Sequence, residues 1–286
     1  MTEINFITGK SISKIHKFPD GEINLELDYI DGKYPVNIVM SIKSSDDVFL
    51  LLQLADILNR LEIRVNDIYF PYLMSMRNDR IFCLTRSFNL KIICQAIKEL
   101  RPYSVSILGP HNLDVLEHQL NGIFIRNLSV LDLMDLSSIG DKVVVYPDEG
   151  SFNNYHHRLC NNLDDFEYVV FKKKRDDFNN ITLEISKEQS ELLKNRDVFV
   201  IDDLCDGGGT YKILSKKLDK HLVGFRDIAI THIIQHKGLD VLLSNFNKVH
   251  ITDSFLSKES MLSHTGNNCY VDGLLNIYDS KCCENF

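Results

Sequence analysis

Short apolar runs alternate with longer amphipathic ones along most of this chain, and that rhythm narrows the fold more than any other feature. "VNIVMSI" (36–42) reads as a buried strand, and "DDVFLLLQLADILNRL" (46–61) follows as a helix, its start favoured by the Ser and Asp residues at 44–47. "DIYFPY", "NLKIICQAIKEL" and "YSVSILGP" then repeat strand, helix, strand. Such alternation builds a mainly parallel sheet with helices packed on it. "LSVLDLMDLSSIG" (128–140) carries no strong strand and reads as a join between two halves. The rhythm restarts with "KVVVYPDEG", "FEYVVFKKKR", "DVFVIDDL", the helix "TYKILSKKL", "DIAITHII" and "KVHITDSF". The expectation is α/β: two tandem domains, 1–128 and 129–286, with a frayed end at "DSKCCENF".

A net charge of −8 argues against a broad nucleic-acid surface, although a local cluster of cations can still serve one phosphorylated small ligand. The seven cysteines are odd in number and form no CxxC pair, which favours reduced thiols in a cytoplasmic compartment. "MTEINFITGK" lacks the basic start and apolar stretch of a signal peptide. The greasiest run, "VFLLLQLADIL", is broken by Gln53 and Asp56 and is too short to span a bilayer.

The most chemical stretch is "VFVIDDLCDGGGTYKIL" (198–214): an apolar run, two adjacent acids, three glycines and a helical pattern. In open α/β sheets, ligands bind at the carboxyl ends of strands, where such a loop falls. Glycines let amide N–H groups approach an anion at a helix start. Asp202 and Asp203 would repel a phosphate, but they suit ribose hydroxyls or the oxygen-rich shell of Mg²⁺. A tight turn with a solvated acidic pair is the plainer reading of the loop alone. Two nucleotide motifs do not compete: Lys212 stands at the third glycine position of GxGxxG, and "GKS" (9–11) lacks the upstream glycine of a P-loop.

"VFVIDDLCDGGGT" resembles the phosphoribosyl-pyrophosphate signature of type I phosphoribosyltransferases and ribose-phosphate pyrophosphokinases. The resemblance implies two phosphoribosyltransferase-like domains, ribose hydroxyls on Asp202 and Asp203, and a 5-substituent lined by Asp206, Gly207, Gly208, Gly209 and Thr210. Four more segments single out the pyrophosphokinases. "KFPDGEINLEL" resembles the family segment that reaches across a subunit interface to adenine, implying Phe18, Asp20 and Glu22 as ATP-binding residues. "FPYLMSMRNDR" resembles the phosphate-binding loop, with Arg77 on ATP and Asn78 and Asp79 beside it. "ILGPHNLDVLEHQL" sets His111 where the family meets the metal–nucleotide, and "VVVYPDEGS" offers Asp148 for ribose and Mg²⁺. "VVFKKKRDD" aligns with a strand leading into a mobile catalytic loop, so Lys173 and Arg175 are the implied catalytic pair, with the long connection after them as a lid.

The implied reaction is Mg²⁺-dependent: the pyrophosphoryl group of ATP moves to the anomeric hydroxyl of ribose 5-phosphate, giving phosphoribosyl pyrophosphate and AMP. Homo-oligomers, dimeric or hexameric, are implied as well. The chain departs from the pattern in places. Phe18 comes early, Ile81 stands where a second basic residue commonly ends the arginine loop, Gly109 replaces an acid before His111, and Gly207 replaces the first threonine of the phosphate loop. Loss of that hydroxyl and Cβ leaves room for a bulkier 5-substituent, so ADP-ribose is an alternative acceptor, with a link to NAD metabolism. A catalytically silent regulatory subunit is the alternative of another class.

Overall fold

The apolar runs of the first half become parallel strands because both faces of each run are covered, leaving little room for polar alternation. In the computed structural model, which describes residues 2–176, 180–265 and 274–281, the chain forms two compact units, one up to Leu128 and the other from Ser129. The first contains β1 (Thr2–Asn5), β2 (Ile12–Lys17), β3 (Ile23–Leu27), β4 (Val36–Val39), α1 (Ser45–Arg60), β5 (Val65–Phe70), α2 (Asn89–Glu99), β6 (Ser104–Leu108), α3 (Leu113–Gln119) and β7 (Phe124–Leu128). Its parallel sheet runs β1-β4-β5-β6-β7, always stepping the same way. Right-handed crossovers in one direction put successive helices on one face. One core joins Leu51, Leu54 and Leu58 of α1, Ile93 and Ile97 of α2, and Leu116 of α3 to Ile38, Ile68 and Ile107 of the sheet.

The antiparallel pair β2–β3 forms a separate hairpin that packs on α1. Gln53 of α1 substitutes for a neighbouring strand there: its Oε1 accepts from the Leu25 N–H at 2.7 Å, and its Nε2 donates to the Ile23 carbonyl at 2.7 Å. The helix itself starts where expected, with a reciprocal cap between Ser44 and Asp47.

The second unit contains β8 (Val143–Tyr146), α4 (Glu149–Cys160), β9 (Tyr168–Val170), β10 (Lys172–Arg175), β11 (Ile181–Glu184), α5 (Lys187–Leu192), β12 (Val198–Cys205), α6 (Gly209–Lys220), β13 (Arg226–Ile233), α7 (His236–Asn245), β14 (Lys248–Thr252), α8 (Lys258–Thr265) and β15 (Leu275–Tyr278). Its parallel sheet runs β15-β14-β13-β12-β8-β9. From β8 the chain steps outward to β9, then crosses back to β12 on the other side, so the winding reverses between β8 and β12. The helices after those strands accordingly lie on opposite faces. Tyr155 and Leu159 of α4 join a core with Tyr146, Phe199 and Ile201, whereas Tyr211, Leu214 and Leu218 of α6 join one with Val143, Val200 and Ile228.

Three local expectations change. The run at 128–140 is more than a join: two 3-10 turns, capped by Ser129 and Asp135, bury Val130, Leu131 and Ile139 in the core. "FEYVVFKKKR" is two strands, because the chain leaves the sheet after Val170 and continues as the antiparallel hairpin β10–β11. The long connection read as a lid carries structure of its own, β11 and α5. Among the described residues, no helix is long and apolar enough to cross a membrane.

Candidate functional site

Parallel strands leave a crevice where their winding reverses, because the following helices diverge and no element covers the carboxyl ends. In the second unit the ends of β8 and β12 meet there, and each delivers acids. Asp148 follows β8 as the N-cap of α4, its Oδ1 accepting from the Ser151 N–H at 3.0 Å. Its other oxygen lies 3.1 Å from the ammonium of Lys173, which the hairpin β10–β11 presents. Lys173 and Asp148 are thus brought into direct contact. The Arg175 side chain lies outside the described residues, although its backbone pairs with Ile181.

Asp202 and Asp203 occupy the last turns of β12 and are only 7% and 6% exposed. Adjacent residues of a strand point to opposite faces, so the two carboxyls part. Asp202 turns toward α6, where its Oδ2 lies 2.9 Å from the Tyr211 hydroxyl, while its Oδ1 accepts from the Asp203 N–H at 3.0 Å. On the other face, burial raises the phenol of Tyr155, on α4, and the negative charge of Asp203 adds to it. Burial drives the Asp202 carboxyl well above the ordinary range, with further increments from the negative charges of Asp203 and Asp148; Lys173 opposes them. Among the described residues, these acids outnumber the Lys173 ammonium and leave a deficit of positive charge. Sugar hydroxyls and a hard cation are the chemistries that fill it.

The loop from Asp206 to Thr210 arches from this acidic end to the start of α6. Gly208 is its fixed point: its φ is +77°, and an added Cβ would lie 2.6 Å from Val241 on α7. At Gly238, also on α7, a Cβ would fall 2.1 Å from the Asp206 carbonyl, so helix and loop touch backbone to backbone. Gln235 adds a 2.8 Å bond from Nε2 to Asp206 Oδ1. Gly207 and Gly209 differ: a Cβ on either meets nothing within 4 Å, and neither has a left-handed φ. The first amides of α6 have no partner earlier in the helix, which suits an anion. The Cys205 thiol beside the loop is buried and pushed up to about 12, chiefly by desolvation, so it is no nucleophile.

The expected ATP segments fall in the first unit. Phe18, Asp20 and Glu22 form the tip of the β2–β3 hairpin, closed by the Phe18 N–H donating to the Glu22 carbonyl at 2.8 Å and by Gly21 at φ +96°. Phe18 is 40% exposed and packs edge-on against His16. A 3.4 Å ion pair between Lys17 and Asp46 ties the tip to the start of α1, on the carboxyl side of the sheet. Asn78 caps α2: its carbonyl accepts from the Leu90 N–H at 3.3 Å and its side chain from the Asn89 N–H at 3.4 Å. Asp79 accepts from Asn112 Nδ2 at 2.7 Å, which stitches the loop to the residue after His111. Asn78 and Asp79 therefore shape the loop, and Arg77 is its exposed member. His111 is half-buried just past β6, where Gly109 adopts φ +58°. Among the described residues, no three His, Cys, Asp or Glu side chains converge as a metal cage.

The sequence reading missed Tyr211, Gln235 and Gly238. In the sequence Tyr211 reads simply as part of the helix after the loop, and the other two carry no motif.

These features define a type I phosphoribosyltransferase-like α/β fold with a carboxylate and glycine-loop crevice in its second unit. Phosphoribosylpyrophosphate synthetase from Mycobacterium smegmatis shares the fold, with a TM-score of 0.73 over 95% of this chain and 87% of its own, at 15% identity. By sequence, ribose-phosphate pyrophosphokinase 2 of Archaeoglobus fulgidus is 28% identical over 199 residues, 68% of this chain and 65% of its own length, so the match takes in just under two thirds of that relative. Ribose-phosphate pyrophosphokinase of Methanosarcina acetivorans is 24% identical over 262 residues, 88% of this chain and 87% of its own. No protein-family model matches the chain. The protein is a divergent relative of the ribose-phosphate pyrophosphokinases.

Two outcomes follow from the crevice. Gly208→Ala, strained in φ and against Val241, loses about 1–3 kcal/mol of stability, whereas Gly207→Ala changes it by less than about 0.5 kcal/mol; paired urea titrations measure both. The second concerns pH. A carboxyl raised in the folded state binds protons that the unfolded chain has released, so its contribution is intact below the unfolded pKa and is lost as pH rises through the folded one. Between pH 4 and pH 8 the wild type therefore loses more stability than Asp202→Asn. Parallel curves would show that Asp202 is not held neutral.

Proposed function

We propose that the protein is an ATP-dependent diphosphokinase that moves the β,γ-diphosphoryl group of ATP to the anomeric hydroxyl of ribose 5-phosphate. The anomeric oxygen attacks the β-phosphorus, the bond to the bridging oxygen of the α-phosphate breaks, and AMP leaves; the hydroxyl proton passes to solvent. The observation that carries this reading is the grouping of Asp148, Lys173, Asp202 and Asp203 where the winding of the second sheet reverses, beside a glycine loop that opens a helix. The names of the sequence relatives support it.

On this reading Asp202 and Asp203 receive ribose hydroxyls, and Asp206, Gly207, Gly208, Gly209 and Thr210 surround the 5-substituent. Lys173, held beside the acids by Asp148, neutralises charge spreading over the transferred group, aided by Arg175. Arg77, Asn78, Asp79 and His111 serve ATP, with Phe18, Asp20 and Glu22 on an exposed tip suited to the adenine site of a neighbouring subunit in a dimer or hexamer. Cytoplasmic metabolism is the matching setting.

The acidic excess of the crevice fits Mg²⁺, with Asp148 as its protein ligand; His111 is a separate candidate metal ligand of the first unit. Lacking a convergent protein cage, the ion would take most of its oxygens from phosphate and water, as Mg²⁺ ordinarily does. When bound it would neutralise phosphate charge.

A second acceptor is favoured by Gly207. Neither its backbone angle nor its packing demands glycine, so its small size serves something other than the fold. A 5-substituent larger than one phosphate, such as the diphosphate of ADP-ribose, gains from that room.

AMP release from Mg-ATP, measured with ribose 5-phosphate and ADP-ribose in parallel, tests the reading. Product with either acceptor supports diphosphoryl transfer, and chelation of divalent cations abolishes it. Lys173→Ala lowers kcat about a hundredfold with ATP affinity preserved, the loss expected of one well-aimed donor. Gly207→Thr shifts preference toward ribose 5-phosphate. Absence of AMP with both acceptors favours an inert regulatory subunit.

A further inference from the structure

Tyr211 sits in the first turn of α6 and is only 3% exposed, yet it carries a hydroxyl into the core. A phenylalanine would fill the same volume without a buried polar atom to satisfy. The hydroxyl has two partners, both on β12: Asp202 Oδ2 at 2.9 Å and the Leu204 carbonyl at 2.8 Å. Between β12 and α6 lies the glycine loop. Its middle is fixed from outside, by Val241 and Gly238 of α7. Its two ends are fixed to each other through this one oxygen.

We infer that Tyr211 is a positioning residue: its hydroxyl clamps the end of β12 to the first turn of α6 and so sets the span between Asp202 and the loop amides. The inference rests on the proposed function, in which that span is the distance from the ribose hydroxyls to the 5-substituent. The clamp holds in either protonation state of Asp202. With the carboxylate ionised, the single phenolic hydrogen is shared by Asp202 Oδ2 and the Leu204 carbonyl. With it protonated, Asp202 donates to the phenolic oxygen and the phenol donates to Leu204. The Asp203 N–H on Oδ1 completes the restraint, so the carboxyl cannot rotate away from the orientation it offers a ligand.

The test joins two readouts on the full-length protein, wild type against Tyr211→Phe. In hydrogen exchange without substrate, the amides from Lys212 to Leu214, whose helical bonds run back to the loop carbonyls beginning with the Lys212 N–H on Gly208, exchange about fivefold faster in the variant, the factor that one hydrogen bond represents. In AMP-release kinetics, KM for the ribose acceptor rises by about the same factor while KM for ATP stays within about twofold. Unchanged exchange overturns the clamp, and so does an equal rise in both KM values, which would mark a general loss of structure. If wild type releases no AMP with any ribose acceptor, the proposed function fails, and the exchange readout still judges the clamp. Should Tyr211→Phe not fold, Asp202→Ala and Asp202→Asn replace it in the exchange assay. The alanine, which removes the partner, accelerates those amides; the asparagine, which can still donate to the phenol, does not. Equal rates in these two variants also overturn it.

Discussion

Three carboxyls and one ammonium gather at the end of the second sheet where its winding reverses, and the rest of the site depends on that concentration of charge. Parallel pairing of β12 with β8 brings Asp148 close enough for its charge to help raise the Asp202 carboxyl. Strand alternation then sends Asp203 to the opposite face, so the pair straddles β12. Lys173 arrives from the β10–β11 hairpin and balances only part of the charge. A site left short of positive charge, against a loop of backbone amides, suits a ligand with hydroxyls at one end and an anion at the other. A sugar phosphate has that polarity.

The glycine loop shows how a fold separates what it needs from what its ligand needs. Gly208 must be glycine, for its left-handed φ and for the valine against it. Gly207 and Gly209 face no such demand. In the first unit Asn78 and Asp79 hold their loop to α2 and to Asn112, and Arg77 beside them is exposed.

Much of this was legible because buried parallel strands are nearly continuous apolar runs. "VNIVMSI", "YSVSILGP" and "DIAITHII" announce β4, β6 and β13 without any structure. Elements stabilised by other means did not announce themselves. The hairpin β2–β3 depends on Gln53, a residue 28 to 30 positions from its partners. Helix α4, "EGSFNNYHHRLC", is largely polar and aromatic, and its first turn reads as part of a loop until Asp148 is seen capping it. The basic run around Lys173 resembled the root of a mobile loop, but pairing with β11 makes it a strand. Asp202, Asp203 and the glycines were visible as a motif, whereas Tyr211 acts through a hydroxyl that no helical periodicity could distinguish from core packing.

The central claim is that the second unit holds a ribose with its hydroxyls at Asp202 and Asp203 and its 5-substituent at the glycine amides. Titration of the ¹⁵N-labelled protein with ribose 5-phosphate alone, followed through backbone amide shifts, tests it without relying on turnover. The account predicts saturable changes concentrated at residues 202–211. Saturable changes confined to other segments, with those amides unmoved, would contradict it.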